Sequence, residues 1–400
     1  MAGPLEGVKV VEVGLWVAAP SAAAMLCDWG AQVIKIEPPQ GDPFRGLFAS
    51  LMGSPVTVNP PFETDNRGKR SVALNLESEE AREIAFRLIE GADVFVTNMR
   101  PRALDQFGLS YEELSRRYPR LVYCQVTGYG PDGPDRDRAA YDIGAFWSRA
   151  GVAAALTPAG AEIPQQRGGM GDHMAGSAAA GAVCAALLAR EKTGKGQRVA
   201  VSLLRMGVYM MSWDVSLALR LKAPIVPYDR QHAINPIITC YKSGDGRWFW
   251  LLLLQADRHW GDLCRAIERE ELMTDSRFEN IDQRRTNGPA LVAELDAVFA
   301  TKSTAQWGEI FDRHDVWWAP INSINEVVED PMAQAAGAFA EIPGPDGPIP
   351  VVATPADFTD TPQAPRGAVP ELGQHTEEVL LELGYDWDQI VALKERRAIP

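Results

Sequence analysis

The pattern of apolar and polar positions alternates between strand and helix periods through the first half of the chain. Val8-Lys9-Val10-Val11-Glu12-Val13 is a compact β-type run stopped by Gly14. Pro20 to Trp29 then reads as a helix, with Pro at its start and Gly30 just past its end. Gln32 to Glu37 is a second strand, closed by Pro38-Pro39. Strand, helix and strand at this spacing predict a βαβ unit and a parallel sheet. The pattern recurs: Ser71 to Leu76 is a strand and Ser78 to Glu90 a helix with Ser78 as its cap. Asp93 to Thr97 and Leu121 to Thr127 are further strands, with the helix Tyr111 to Tyr118 between them.

Gly176 to Arg190 is almost wholly Ala, Gly, Val, Leu and Cys, a helix whose small side chains require close packing. Thr193-Gly194-Lys195-Gly196 ends it, Gln197 to Leu203 is a strand, and Met206 to Lys222 reads as a helix. Past the Pro-bearing link Ala223 to Tyr228 the texture changes. Ile237 to Tyr241, a turn at Gly244-Asp245-Gly246 and the apolar strand Trp248 to Leu254 precede a group of helices, and Thr376 to Leu383 is expected as the last one. The predicted fold class is α/β: a Rossmann-like large domain over residues 1–204, a linker helix over 205–224, a smaller α+β domain over 225–325, and a return segment over 326–400 that completes the large domain.

Composition narrows the chemistry. With 400 residues, 46% of them hydrophobic, the chain has material for full cores. Met1-Ala2-Gly3-Pro4 leads straight into a charged strand pattern, so no signal peptide is expected, and the apolar run Ala178 to Ala189 is too short to span a bilayer. Five scattered cysteines argue for reduced thiols and a cytoplasmic location, without a disulfide frame or a zinc site. A formal charge of −14 speaks against nucleic-acid or anionic-membrane partners. Any anionic ligand must therefore find its cations gathered locally.

Two cationic clusters qualify: Asn66-Arg67-Gly68-Lys69-Arg70-Ser71 before a strand, and Asn98-Met99-Arg100-Pro101-Arg102 just after one. Arg forks and Lys point charges suit diphosphate oxygens. Glu37 ends the second strand, where dinucleotide folds place a ribose-binding acid. The first βα turn, Gly14-Leu15-Trp16-Val17-Ala18, lacks the glycines that admit a pyrophosphate, so NAD is not expected. No metal-hydrolase, serine-hydrolase or P-loop motif appears. The remaining candidate is Asp172, on the Gly-rich turn Gly169-Met170-Gly171-Asp172-His173-Met174-Ala175-Gly176. From residue type and position alone it reads as a helix N-cap, with nucleophile as its second use.

Blocks along nearly the whole chain decide between these uses. They are Pro4 to Glu12, Trp29 to Pro39, Gly41-Asp42, Asn66 to Ser71, Asn98 to Pro101, Tyr141-Asp142, Gly171-Asp172, Thr193 to Val199, Asp275 to Phe278 and Ala319 to Asn322. In this order they resemble the class III coenzyme A transferases, the family that includes formyl-CoA transferase, carnitine CoA-transferases and α-methylacyl-CoA racemase. The resemblance implies CoA transfer from an acyl-CoA to a carboxylic acid, with Asp172 as nucleophile, CoA thioester as substrate and no permanently bound cofactor or metal. It also implies an interlocked homodimer and a CoA site lined by Val17, Ala18, Leu74, Asn75, Asn98, Met99, Arg100 and Tyr141, to which the cationic cluster adds Arg67 and Lys69. Gln106 departs from the pattern, since many relatives carry a cation there.

Racemase members carry Gly-His-Asp where this chain reads Ala140-Tyr141-Asp142. A phenol is too weak a base to replace that His at neutral pH, which favours transferase over isomerase. A non-catalytic acyl-CoA-binding protein is the third reading. Phe146-Trp147 and Trp317-Trp318 are the aromatic candidates for receiving a bulky or aryl acyl group.

Overall fold

The computed structural model describes residues 3–52, 58–222, 224–344 and 347–400; Met1, Ala2 and Ala223, which figure in the readings above, lie outside these. The described residues fall into two compact units, one drawn from Met1–Ala154, Pro164–Pro224 and Met332–Pro400, the other from Ala155–Ile163 and Ile225–Pro331.

The first unit is built on one sheet of six strands: β1 (Lys9–Val13), β2 (Gln32–Glu37), β3 (Arg70–Ala73), β4 (Val94–Thr97), β5 (Val122–Thr127) and β6 (Arg198–Ser202). Every pairing is parallel, in the order β3-β2-β1-β4-β5-β6. This is the doubly wound order, in which the chain's direction of growth reverses between β1 and β4 and opens a crevice at their carboxyl ends. Both faces of the sheet are covered, so its strands are apolar on both sides. Val10 enters one core with helices α1 (Ala18–Asp28) and α3 (Met170–Thr193). Val11 and Val13 enter the opposite core with the helices Glu79–Glu90, Thr376–Glu382 and Trp387–Glu395.

Helices α1 and α3 touch through glycine and alanine. A Cβ at Gly176 would lie 2.1 Å from Ser21 Oγ and 3.0 Å from the Ala22 backbone nitrogen. The small-residue helix therefore presses on α1 as its composition required. With 24 residues, α3 is long and apolar enough by composition to cross a membrane, but the described structure packs its Ala175, Ala179 and Val183 into the core.

Glu12 interrupts the apolar run of β1. It is wholly buried, and in the strand register it stands opposite Lys35 of β2. Lys35 Nζ reaches Glu12 Oε1 at 2.9 Å and Asp42 Oδ2 at 3.0 Å, while Lys69 Nζ reaches Glu12 Oε2 at 2.7 Å. The carboxylate thus bridges two lysines inside the protein.

The second unit carries a three-stranded antiparallel sheet, β7 (Cys240–Lys242), β8 (Trp248–Leu251) and β9 (Trp318–Pro320), in that order. Phe249, Phe299, Trp307 and Phe311 form its aromatic core.

Several elements differ from expectation. Helix α1 begins at Ala18, before Pro20, and the expected helix Met206 to Lys222 is two helices, Leu203–Met210 and Ser212–Leu221, meeting at Met211. The first starts early because Ser202 accepts the Arg205 backbone N–H as its cap. Thr376–Glu382 is not the last helix; Trp387–Glu395 follows, opened by a reciprocal capping box between Asp386 and Gln389.

Removing one member of a buried ion pair strands the others. Glu12→Ala is expected to lower the unfolding free energy by about 3–5 kcal/mol, measured by urea titration. A loss below about 1 kcal/mol would show that the two lysines do not depend on this carboxylate.

Candidate active site

The loops that leave β1 and β4 are tied to each other at the crevice. Asn98, directly after β4, accepts the Leu15 backbone N–H through Oδ1 at 3.0 Å and donates to the Leu15 carbonyl through Nδ2 at 2.7 Å. Trp16 has a left-handed φ of 65°, uncommon for a bulky residue, and its backbone N–H is held by Asp42 Oδ1 at 3.0 Å. The Asp42 carboxylate is itself fixed by Lys35. The buried charge cluster therefore sets the shape of the β1–α1 loop.

A cavity of about 360 Å³ lies at this crevice. Ala18, Asn98, Met99, Arg100, Tyr141 and Asp172 are among its walls. A second cavity of about 330 Å³ shares Leu15 and Met99 with it and adds Leu74, Asn75 and the Pro38-Pro39 turn. Together they offer an elongated path across the carboxyl ends of β1, β2 and β4. Volume alone would select a different place, since a cavity of about 760 Å³ lies elsewhere. Its walls carry Glu79, Glu80, Glu83, Asp386 and Asp388, a lining that repels an anion.

Asp172 does not cap its helix. Gly169 occupies the N-cap with a left-handed φ of 76°, and Asp172 stands in the first turn of α3. The expected cap fails because the chain enters the helix through a glycine conformation three residues earlier. In its observed place the carboxylate faces the cavity near the positive end of the helix dipole. Burial nevertheless pushes its pKa up to about 7, the charge of Asp142 adds to that rise, and His173 opposes it. A carboxyl shifted this far by burial and a neighbouring charge is a candidate functional group.

Asp142 lies beneath the same turn. Its Oδ2 accepts the Gly171 backbone N–H at 3.0 Å, and its Oδ1 is buried without a hydrogen-bond partner. A helix with π-type turns, Ile143–Arg149, begins immediately after it. Gly171 is required here by space: a Cβ would lie 2.3 Å from Phe146 Cγ and 2.4 Å from Asp142 Oδ1.

The remaining expected residues divide. Tyr141 is 64% exposed and meets Trp16 edge to face, with ring centroids 5.6 Å apart. Arg100 is exposed and, among the described residues, is the cation in the lining of either cavity. Val17 is not in either lining; its Cγ1 faces Gly169. Leu74 is buried in the second cavity's wall, and Asn75 is anchored to the C-terminal segment, donating to the Arg397 carbonyl.

Arg67 and Lys69 are corrected. Arg67 is buried and forks onto Asp28, with Nη2 to Oδ2 at 2.6 Å. Lys69 gives its ammonium to Glu12, the Pro20 carbonyl and Asn66 Oδ1, which occupies all three donors. Neither cation is available to a phosphate, because each neutralises an internal carboxylate. Phe146 and Trp147 are likewise core residues, and Trp317 lies against His259 in the second unit. The aromatic pair that reaches the cavity is Trp16 with Tyr141. Gly244-Asp245-Gly246 is the hairpin turn between β7 and β8, knit by Asp245 to Ser243 and Thr304.

The Gly171 contact generates a direct expectation. Gly171→Ala overpacks the turn and should destabilise the fold by about 1–3 kcal/mol in thermal or urea unfolding. An unchanged stability would mean that α3 stands farther from Asp142 and Phe146 than described.

Comparison with known proteins agrees with the geometry. The family model described as CoA-transferase family III matches residues 5–376. The chain is 36% identical to the (R)-2-hydroxy-4-methylpentanoate CoA-transferase of Clostridioides difficile, over 99% of each chain. It is 33% identical to the cinnamoyl-CoA:phenyllactate CoA-transferase of Clostridium sporogenes, over 98% of this chain and 97% of that one. A crystal structure of a CaiB/BaiF family protein from Brucella suis superposes with a TM-score of 0.83 at 30% identity, covering 96% of this chain and 100% of that one. A parallel six-stranded sheet with a crevice at its switch point, together with full-length similarity to named transferases, establishes that this chain belongs to CoA-transferase family III and is a CoA-transferase.

Proposed function

We propose that the enzyme moves CoA from an acyl-CoA to a carboxylic acid through covalent intermediates on Asp172. The carboxylate attacks the donor thioester carbonyl, the C–S bond breaks, and CoA thiolate leaves an aspartyl–acyl anhydride. The thiolate then attacks the aspartyl carbonyl, releasing the donor's acid as a carboxylate and leaving an aspartyl-CoA thioester. The acceptor carboxylate attacks that thioester, and the returning thiolate takes the new acyl group, which regenerates Asp172. Each step exchanges one carboxylate or thiolate for another, so no net proton is consumed.

One observation carries the reading: a partly buried carboxyl in the first turn of α3 lines a cavity at the carboxyl ends of the central strands. Apart from Gly171, whose N–H is held by Asp142, first-turn helix amides lack intrahelical partners and are suited to receive the oxyanions of the tetrahedral intermediates. In this reading Ala18, Asn98, Met99, Arg100 and Tyr141 meet the CoA near the reacting end, Val17 shapes the turn below it, and Leu74 and Asn75 lie along its path. Arg100 supplies the charge for a phosphate. The enzyme acts as a homodimer in the cytoplasm, with CoA thioester as substrate and no resident cofactor.

The Trp16–Tyr141 corner supports an acyl group that is branched or aromatic. The two relatives named above act, by their names, on a methyl-branched hydroxy acid and on cinnamoyl and phenyllactyl groups.

The test is exchange of CoA among acids. Acetyl-, succinyl- and cinnamoyl-CoA are each incubated with mixed carboxylic acids, and the thioester products are read by mass spectrometry. Transfer is expected with at least one donor, and Asp172→Asn should slow it by a thousandfold or more, on the order of losses for other covalent nucleophiles. Normal transfer by that variant would exclude the mechanism.

A further inference from the structure

His173 follows Asp172 in the chain, and its role is not set by the scheme above. Its side chain is 49% exposed, yet Nε2 lies 3.0 Å from Oδ1 of Asp65. Asp65 comes from helix α2 (Pro60–Asn66), and its side chain is only 2% exposed. Its second oxygen, Oδ2, is buried without a hydrogen-bond partner. Burial raises the Asp65 pKa, and the hydrogen bond and charge of His173 oppose that rise. A carboxylate in that position therefore depends on its one contact being a cation.

The other side of the ring lies against Gly169. A Cβ there would come within 2.9 Å of His173 Nδ1 and Cε1, so only glycine leaves room for the ring. The Gly169 backbone also favours the protonated ring through a hydrogen bond. An imidazolium carries an N–H at both ring nitrogens, so Nε2 can donate to Asp65 whatever the other nitrogen meets. Burial acts against the charged ring, but the hydrogen bond and charge of Asp65 outweigh it and hold the His173 pKa above its ordinary value.

The charged groups facing this pair come from four segments. Asp65 stands on α2, Asp172 on the same helix as His173, and Asp142 before the helix Ile143–Arg149. Lys69 and Arg67 follow α2 behind Asp65, and each is engaged with a carboxylate other than Asp65.

We propose that Asp65 and His173 form a positioning pair for the nucleophile, in which a buried carboxylate fixes an imidazolium beside Asp172 and its positive charge keeps Asp172 ionised against Asp142. The inference rests on Asp172 being the nucleophile. Its direction follows from charge: burial, Asp142 and, most weakly, Asp65 favour the protonated carboxyl, and His173 acts the other way more strongly than Asp65. Without the imidazolium, Asp172 binds its proton more tightly. Turnover is then lost on the acid side and recovered at alkaline pH, where Asp172 ionises regardless.

The experiment compares wild type, His173→Gln, Asp65→Asn and Asp65→Glu across the pH range. Two readouts are used: the rate of CoA transfer, and the titration of the Asp172 carboxyl by NMR of protein labelled with ¹³C in its aspartates. Asp172→Asn assigns that resonance. The wild-type acid limb is expected near 7, where the Asp172 pKa lies. His173→Gln should lower the rate at pH 6 about tenfold relative to wild type, with rates converging at pH 9 and the Asp172 titration moved upward. Asp65→Asn should act in the same direction but less, because it also removes a charge that itself raises the Asp172 pKa. Asp65→Glu, which keeps the charge, should restore most of the acid-side rate. Circular dichroism reports folding, and Asp65→Asn is close to isosteric, so the two single variants check each other. An equal loss at every pH with an unmoved Asp172 titration would overturn the proposal, as would wild-type behaviour in both. If Asp172→Asn still transfers CoA, the nucleophile assignment fails, while the NMR titration separately reports whether His173 governs the Asp172 proton.

Discussion

Inside the sheet, one carboxylate is shared by two lysines, and the geometry of the crevice follows from that arrangement. Glu12 meets Lys35 and Lys69, and none of the three reaches water. Lys35 also holds the Gly14 carbonyl and Asp42, and Asp42 takes the Trp16 backbone N–H. Lys69 holds the Pro20 carbonyl of α1 and the Asn66 side chain of α2. The first βα loop and two helices are thereby referenced to one buried charge. Burial opposes the charge on Lys35, but its carboxylate partners outweigh it and raise its pKa. Lys69 shifts downward, because burial and the nearby Lys35 outweigh Glu12. A well-packed apolar cluster often serves stability equally well; what this network adds is a fixed position for the loop and the two helices.

Small residues then bring the reacting group to that loop. Glycine at 176 lets α3 close on α1, and glycine at 171 lets the start of α3 rest on Asp142 and Phe146. The left-handed Gly169 opens the helix so that Asp172 faces the cavity and His173 faces Asp65. A dipeptide at a helix start thus presents a carboxyl to the crevice and a ring to its own buried partner. Neighbouring side chains on one helical turn diverge by about 100°, which allows the two destinations.

The parallel sheet was legible because most strand positions are apolar on both faces and most turns carry Gly or Pro, so period and punctuation agreed. The stop at Gly30, the cap at Ser78 and the close packing of the Ala-rich helix came from the same local rules. Asp386 and Gln389 form a capping box that was present in the sequence, yet it follows a helix already taken as the last. The roles of Arg67 and Lys69 were not legible. A cation's partner is decided by tertiary placement, and Asp28 and Glu12 lie 39 and 57 residues away from them. The same holds for His173 and Asp65, separated by 108 residues. Trp16 left a usable signal: an aromatic in the first βα loop of a doubly wound sheet stands where ligands bind.

The central claim is that Asp172 carries the transferring group. Peptide mass spectrometry of enzyme quenched in acid during turnover with cinnamoyl-CoA tests it most directly. The account predicts CoA joined as a thioester to the peptide containing Asp172, removable by hydroxylamine and absent from Asp172→Asn. Transfer that proceeds with no such adduct, or with CoA on a different residue, would contradict it.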